Sequence, residues 1–307
     1  VRRFIMRVGV IGTGKMGENH IRTYLSMHEH CQLVGIFDKD EQRANDMANK
    51  YNVRQFQSMD NLLQQVDAIS IAVPTEYHYP IGLTCIKHNV HILMEKPITS
   101  TVVQANDLVK KAKKAGIKLQ VGHIELFNPI IQLLIKELTD EKIIGMEFHR
   151  MNPYHHRIKN VDVVADLMIH DLYILQAILQ DTIDDFHAFG KIIENTPKHA
   201  VVIATSVKDI IVQLTASFKS KRKIRSIQIL TEDALFDVDI IQKQLKIVRS
   251  GITSITVIDD EIEPLHLQLM DFIRCIQNND QPKVSGEDGI KALQLTNQIG
   301  NAISKLN

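Results

Sequence analysis

Cysteine is scarce in this chain: three residues in 307, standing far apart at Cys31, Cys85 and Cys275, with no CxxC. That spacing excludes a disulfide scaffold and a structural zinc site, and it fits reduced thiols in a cytoplasmic protein. An excess of one charge is also missing, because 36 Lys and Arg face 36 Asp and Glu. No global field draws such a chain to nucleic acid or to a membrane surface. The densest basic run, KSKRKIR from Lys219 to Arg225, lies between two strand-like stretches and reads as a solvated hairpin. No segment approaches ~18 uninterrupted apolar residues, so no membrane span is expected. The opening VRRFIMRVGVIGTG has the arginines and apolar residues of a signal peptide, but Arg7 and the glycines interrupt it. Internal repeats and low-complexity tracts are absent as well.

Up to residue 122 the chain alternates short apolar runs with amphipathic stretches. RVGVIG, LVGIFD, AISIAV, HILME and KLQVGH are rich in Val and Ile and apolar on both faces, as parallel strands covered by helices must be. MGENHIRTYLSM and TVVQANDLVKKAKKAG carry helical patterns between them. This alternation predicts a doubly wound parallel sheet, a Rossmann-type α/β domain over residues 1–122. From 123 to 307 the pattern differs. A helix at Asn128–Leu138 and a strand at Ile144–Arg150 precede a helix through VVADLMIHDLYIL. Then come FHAFGKII, HAVVIATS, IIVQLTASF, IRSIQIL, LKIV and SITVI, strands without intervening helices, and finally helices at Pro264–Gln277 and Gly286–Ser304. The expectation is a second α+β domain with a large, mostly antiparallel sheet, serving substrate binding and oligomerisation.

The first strand ends in Gly12-Thr13-Gly14-Lys15-Met16-Gly17, a GxGxxG that opens a helix. Gly12 permits a tight turn, Gly14 lets a pyrophosphate approach the backbone, and Gly17 lets helix pack on strand. The helix N-terminus offers free N–H groups to the phosphates. Asp38, about twenty residues on at the end of the second strand, is placed to accept hydrogen bonds from the adenosine ribose, which favours NAD. Lys39 beside it leaves NADP use open.

Two dehydrogenase chemistries lack their residues. None of the six tyrosines has a lysine four positions on, and neither HExxH nor a cysteine cluster provides zinc ligands. His149, His155 and His156 lie close in sequence, but adjacent residues of an extended segment point to opposite faces, so no metal site is expected. What remains is metal-free chemistry by lysine and histidine. Glu95-Lys96-Pro97 follows the fourth strand, at the end of a parallel sheet where ligands bind. Read alone, Glu95 and Lys96 could equally form a surface ion pair. Asp166 and His170 stand four apart in an apolar helix and share a face, whereas Asp171 lies about 100° round and reads as structural.

Taken together, the glycine motif, AVPTEYHYP, MEKPIT and DLMIHDLYIL resemble in order and spacing the Gfo/Idh/MocA oxidoreductase family. The resemblance spans essentially the whole chain. It implies that Lys96 contacts nicotinamide and the substrate hydroxyl, and that Asp166 and His170 sit at the substrate. Pro74, Thr75, His78 and Glu95 would join the glycine loop in holding the cofactor. An imidazole suits a general base that takes a hydroxyl proton as hydride leaves carbon. GHIELFNPII and GEDGIKALQL further resemble a branch of UDP-N-acetylglucosamine 3-dehydrogenases, although Leu126 stands where that branch often has arginine. The substrate would then be a sugar, a cyclic polyol or a nucleotide sugar. His123, Asn128, Arg150, Tyr154, His155 and Arg157 are the candidates for its contacts. Arg150, His155, His156 and Arg157 would face an anionic group such as a diphosphate. A homodimer or homotetramer is expected. A catalytically silent NAD-binding regulator on the same fold is the alternative.

Overall fold

In the computed structural model, residues 5–155, 158–180, 183–259 and 262–305 are described. The chain divides into two units, one of residues 1–124 with 262–293 and the other of residues 125–261 with 294–307.

The first unit is built on a parallel sheet of β1 (Met6–Ile11), β2 (Cys31–Phe37), β3 (Ala68–Ile71), β4 (His91–Glu95) and β5 (Leu119–Gly122), in the order β2-β1-β3-β4-β5. β3 and β5 are buried at every position, which explains why they read as continuous apolar runs. The helices include α1 (Lys15–Ser26), α2 (Glu41–Tyr51), α3 (Met59–Leu63), α4 (His78–Lys87) and α5 (Val102–Lys114). Thr101 caps α5 by accepting the Gln104 N–H, and three lysines complement its C-terminal dipole. The strand order reverses direction between β1 and β3, so the chain departs to opposite sides there and opens a crevice at the strand ends.

The division departs from the expected boundary at 122: the first segment runs to 124, and residues 262–293 join it. A later helix, the eighth in the chain (Pro264–Asn278), belongs to the first unit. Its Leu265, Leu269, Met270, Phe272 and Ile273 are buried in the same core as Val8, Val10, Ile21 and Tyr24. The apolar side of this helix, bounded by polar residues, looks in sequence like a face for any sheet.

In the second unit, α6 (Pro129–Glu137) precedes β6 (Ile143–Pro153). A π-helical turn (Val164–Met168) then runs into α7 (Ile169–Leu179). The strands β7 (Ile183–Ile193), β8 (Thr196–Ser206), β9 (Ile211–Ser220), β10 (Ile224–Thr231), β11 (Ala234–Asp239), β12 (Gln244–Arg249) and β13 (Ile252–Val257) complete an eight-stranded sheet. Its order is β13-β12-β11-β10-β6-β9-β8-β7. It is antiparallel except where β6 runs parallel to β9. In the basic run Lys219–Arg225, Lys219 and Lys221–Lys223 are exposed as expected, but Arg225 is half-buried against Glu125 and the run does not close a hairpin. β6 is inserted between β9 and β10 and pairs with both, so those strands never pair with each other. β11 escaped the sequence reading because its acidic residues interrupt the apolar run. Its Ala234, Phe236 and Val238 nonetheless alternate inward at the period of a strand. α7 is buried on nearly every side, which is why its sequence is apolar all round. The helix α9 (Gly286–Lys305) starts in the first unit, and from Gln294 on it belongs to the second.

Candidate active site

In the first unit the glycine loop is shaped by close contact. Gly12 has φ +91°, and a Cβ there would meet the Ala72 carbonyl oxygen at 2.5 Å. At Gly17 a Cβ would lie 1.8 Å from the Gly12 carbonyl oxygen, so only glycine lets α1 sit on its strand. Gly14 differs: an added Cβ meets nothing within 4 Å, and the residue caps α1 without any side-chain bond. The space beside Gly14 at the α1 N-terminus is therefore open, as a dinucleotide pyrophosphate requires. A cleft of about 500 Å³ runs along the β1, β2 and β3 ends, lined by Gly12, Gly14, Asp38, Val73, Pro74 and Tyr77 among others. These residues fit NAD at the topological switch point.

Asp38 is nearly buried. Its Oδ2 accepts the Thr13 N–H at 2.7 Å and the Thr13 hydroxyl at 2.9 Å, and its Oδ1 accepts the Asp40 N–H at 3.0 Å. A carboxylate has about four lone-pair sites, so capacity for a ribose hydroxyl remains. Thr13 is thus a brace for Asp38, while Lys15 is exposed and Met16 half-buried. Arg43 approaches Asp38 at 3.8 Å, and Lys39 donates to the Tyr77 hydroxyl at 2.9 Å.

Pro74 is exposed and Thr75 half-buried at the β3 end, but His78 is turned inward. Its ring nitrogens lie 2.9 Å from the Pro97 carbonyl and 3.0 Å from the Val73 carbonyl. His78, expected to hold the cofactor with Pro74 and Thr75, thus ties the loop after β3 to the loop after β4. Burial lowers its pKa despite those two carbonyls. Lys96 is half-buried and its bond to Pro97 is cis. Glu95 is 9% exposed and points toward His20 of α1, Oε1 to Nε2 3.1 Å. His123, after β5, is buried, and burial followed by the nearby Lys96 charge holds its pKa well below the ordinary value.

In the second unit Asp166 lies within the π turn and His170 at the start of α7, both half-buried. The sequence pattern had predicted a plain α-helix here. π turns occur as single insertions, often at functional sites. Asp162 opens the turn, its Oδ1 accepting the Val164 N–H at 2.7 Å.

Arg150 does not face outward for an anion. It is 1% exposed, donating from Nε to Asp171 Oδ1 at 2.9 Å and from Nη1 to Glu125 Oε1 at 2.8 Å. Arg225 adds a longer contact to Glu125 at 3.4 Å. Burial pushes the Asp171 carboxyl up to about 6 although Arg150 pulls it down. For Glu125 burial is outweighed by Arg150, Arg225 and Asn128, and the carboxyl lies below its ordinary value. Asp171 is thus structural, held by a side chain of β6. Asn128 is the N-cap of α6, accepting the Ile130 N–H and donating to Glu125 at 3.3 Å, so it too is occupied within the protein. Tyr154 donates to Glu194, and Lys219 sits 3.7 Å over its ring. His155 is exposed, and His156 and Arg157 lie outside the described residues. Among the described residues no group of three His, Cys, Asp or Glu side chains is arranged to hold a metal ion.

Lys198, Glu125 and His20 escaped the sequence reading. The buried Lys198 ammonium reaches the carbonyls of Ile158 and Lys159 at 2.8 Å and of Val161 at 2.7 Å, pinning the segment that leads into the π turn. No local pattern marks such a lysine in a strand. His20 had a signal, standing three residues after Gly17 on the face of α1 that must pack.

Residues 6–123 match the Gfo/Idh/MocA family, described as oxidoreductases with an NAD-binding Rossmann fold. The chain is 30% identical to a UDP-N-acetylglucosamine 3-dehydrogenase from Acidithiobacillus ferrooxidans, over 97% of each sequence. A crystal form of that enzyme superposes with TM-score 0.94 at 29% identity, covering 99% of each chain. A myo-inositol 2-dehydrogenase from Thermotoga maritima is 23% identical over 94% of each sequence. The structure of another, from Lactobacillus plantarum, superposes with TM-score 0.85 at 16% identity, covering 99% of this chain and 98% of that one, a likeness of fold. With one relative similar over nearly its whole length and a glycine loop shaped for a dinucleotide, the chain belongs to the Gfo/Idh/MocA oxidoreductase family and is an NAD-binding dehydrogenase.

Proposed function

We propose that the protein oxidises a secondary hydroxyl of a sugar or cyclic polyol, and that its substrate is a UDP-sugar reacting at the 3-hydroxyl. The observation that carries this reading is the likeness to the UDP-N-acetylglucosamine 3-dehydrogenase, which extends through both units. Bound NAD would supply the acceptor for the hydride that leaves the carbinol carbon. His170 takes the hydroxyl proton as general base. Asp166 orients the imidazole or holds a neighbouring substrate hydroxyl, and its charge favours the imidazolium product. Lys96 stabilises the developing alkoxide. Tyr154, His155 and Arg157 remain the candidates for substrate contacts once Arg150 and Asn128 are assigned to the protein's own interior. His123, close enough to Lys96 to feel its charge, is a further candidate.

The catalytically silent reading finds no support in the relatives described above, which carry dehydrogenase names. NADP use stays open through Lys39 and Arg43 beside Asp38. A homodimer or homotetramer is supported by apolar residues left exposed on strands of the large sheet, such as Phe189, Ile203, Ile211 and Leu230. The three cysteines are buried and free, in keeping with a cytoplasmic location. Among the described residues no helix is long and apolar enough to cross a membrane.

The deciding experiment mixes the protein and NAD with UDP-N-acetylglucosamine, UDP-glucose or myo-inositol and follows reduced nicotinamide by absorbance. Turnover with the first, cut about 100-fold or more in His170→Ala with NAD affinity unchanged, is the expected result. Tight NAD binding without turnover on any of the three refutes the assignment.

A further inference from the structure

Glu95 poses a question that cofactor binding does not answer. A carboxylate at the end of a buried strand is costly unless something pairs with it. Three elements converge on this one. His20 of α1 is 0% exposed and places Nε2 at 3.1 Å from Oε1. The Lys96 backbone N–H donates to Oε2 over a long 3.4 Å. On the third side Gly122 of β5 supplies the space, since a Cβ there would lie 2.8 Å from Oε1 and 3.0 Å from Oε2. The carboxylate thus occupies a socket made by helix, strand and an absent side chain.

We propose that His20 is a positioning residue for Lys96, acting through Glu95; this rests on the reading that Lys96 acts on the substrate. An Nε2–H donated to Oε1 holds the carboxylate turned into the socket, and Oε2 is then aimed at the Lys96 backbone. Glu95 and Lys96 are adjacent, so fixing the carboxylate rotor fixes the strand end from which the lysine side chain departs. His20 also lies one helical turn beyond Gly17, on the helix whose N-terminus faces the phosphate site. The pair therefore connects the element that seats the dinucleotide with the lysine assigned to the reacting oxygen. No proton is transferred in this role. Among the described residues Nδ1 of His20 has no hydrogen-bond partner, so the interaction shown runs through Nε2.

The test compares His20→Leu, which removes the donor at similar volume, with His20→Gln, whose amide N–H can replace Nε2–H. Turnover of UDP-N-acetylglucosamine should fall roughly 10- to 100-fold in the leucine variant, as for a displaced catalytic group, with NAD affinity within about twofold of the parent. The glutamine variant should recover most of that loss. A readout without turnover is the carbon-13 NMR signal of reductively methylated Lys96, assigned by its disappearance in Lys96→Arg. It should move in His20→Leu and return in His20→Gln. Lys96→Met separates the two readings. If it retains turnover, the role of Lys96 itself is wrong. If it is inactive while His20→Leu keeps full kcat and an unmoved Lys96 signal, the positioning role is wrong. Loss of NAD affinity and kcat together, without rescue by glutamine, also overturns it, because His20 would then serve only the packing of α1.

Discussion

Replacing Arg150 with alanine is the perturbation whose consequence follows most directly from the structure. The guanidinium is buried between Asp171 and Glu125 at 2.9 and 2.8 Å, and its removal strands two carboxylates in the core of the second unit. Arg225, one-third exposed and 3.4 Å from Glu125, compensates only one of them. Breaking a buried pair by deleting one partner costs about 3–5 kcal/mol, more than the intact pair contributes, because an uncompensated charge remains. For a unit of this size that corresponds to a fall in Tm of roughly 6–20 °C. The pH dependence carries a definite sign. Asp171 binds its proton more tightly folded, at about 6, than unfolded, at 3.8, so its contribution to stability falls as pH rises through that window. Glu125 acts the other way in the intact protein: its lowered pKa adds stability above the ordinary value, lost on acidification. Without Arg150 both carboxyls are raised, and both then favour the acidic side. The deficit of Arg150→Ala against the parent should be largest near pH ~8 and shrink toward pH ~5. Thermal melts by circular dichroism at both pH values measure it, and the combination Glu125→Leu, Arg150→Met, Asp171→Leu should recover much of the loss. A deficit below about 1 kcal/mol, or one that ignores pH, would refute the claim that the triad is desolvated and charged.

The glycine loop offers a paired test. Gly17→Ala forces a Cβ onto the Gly12 carbonyl, so it should lower stability by about 1–3 kcal/mol and impair NAD binding, read by melting and calorimetry. Gly14→Ala should melt like the parent yet bind NAD more weakly, because its methyl enters only the open space kept for phosphate. Lys198→Met should leave three carbonyls and the Thr196 hydroxyl without their shared donor, costing about 2–3 kcal/mol. Hydrogen exchange should then accelerate at residues 158–161 while NAD affinity is unchanged.

Much of this protein was legible because parallel strands, glycine turns and strand–helix alternation are local signals. Each of the five parallel strands follows from a run of four to six apolar residues, and Gly12 and Gly17 are required by contacts that a Cβ would violate. The parallel pairing of β6 with β9 was hidden for the opposite reason. It is decided by which strand enters the gap between β9 and β10, about sixty residues away, and the three-residue basic turn between those strands looks locally like any hairpin. The π turn at Val164–Met168 was hidden too, since one extra residue in a helical repeat leaves the apolar periodicity of so short a segment unchanged. Four of the residues assigned to ligand by sequence share a further pattern. Thr13, His78, Asn128 and Arg150 all carry functional groups, and in each case the structure spends those groups on a neighbour inside the protein. A side chain's chemistry is written in the sequence, but its direction is set by where a buried partner waits. Polar residues beside a reactive group are therefore best tested first as positioners, because a site that must hold atoms within a fraction of an ångström needs more residues to fix the reacting ones than to react.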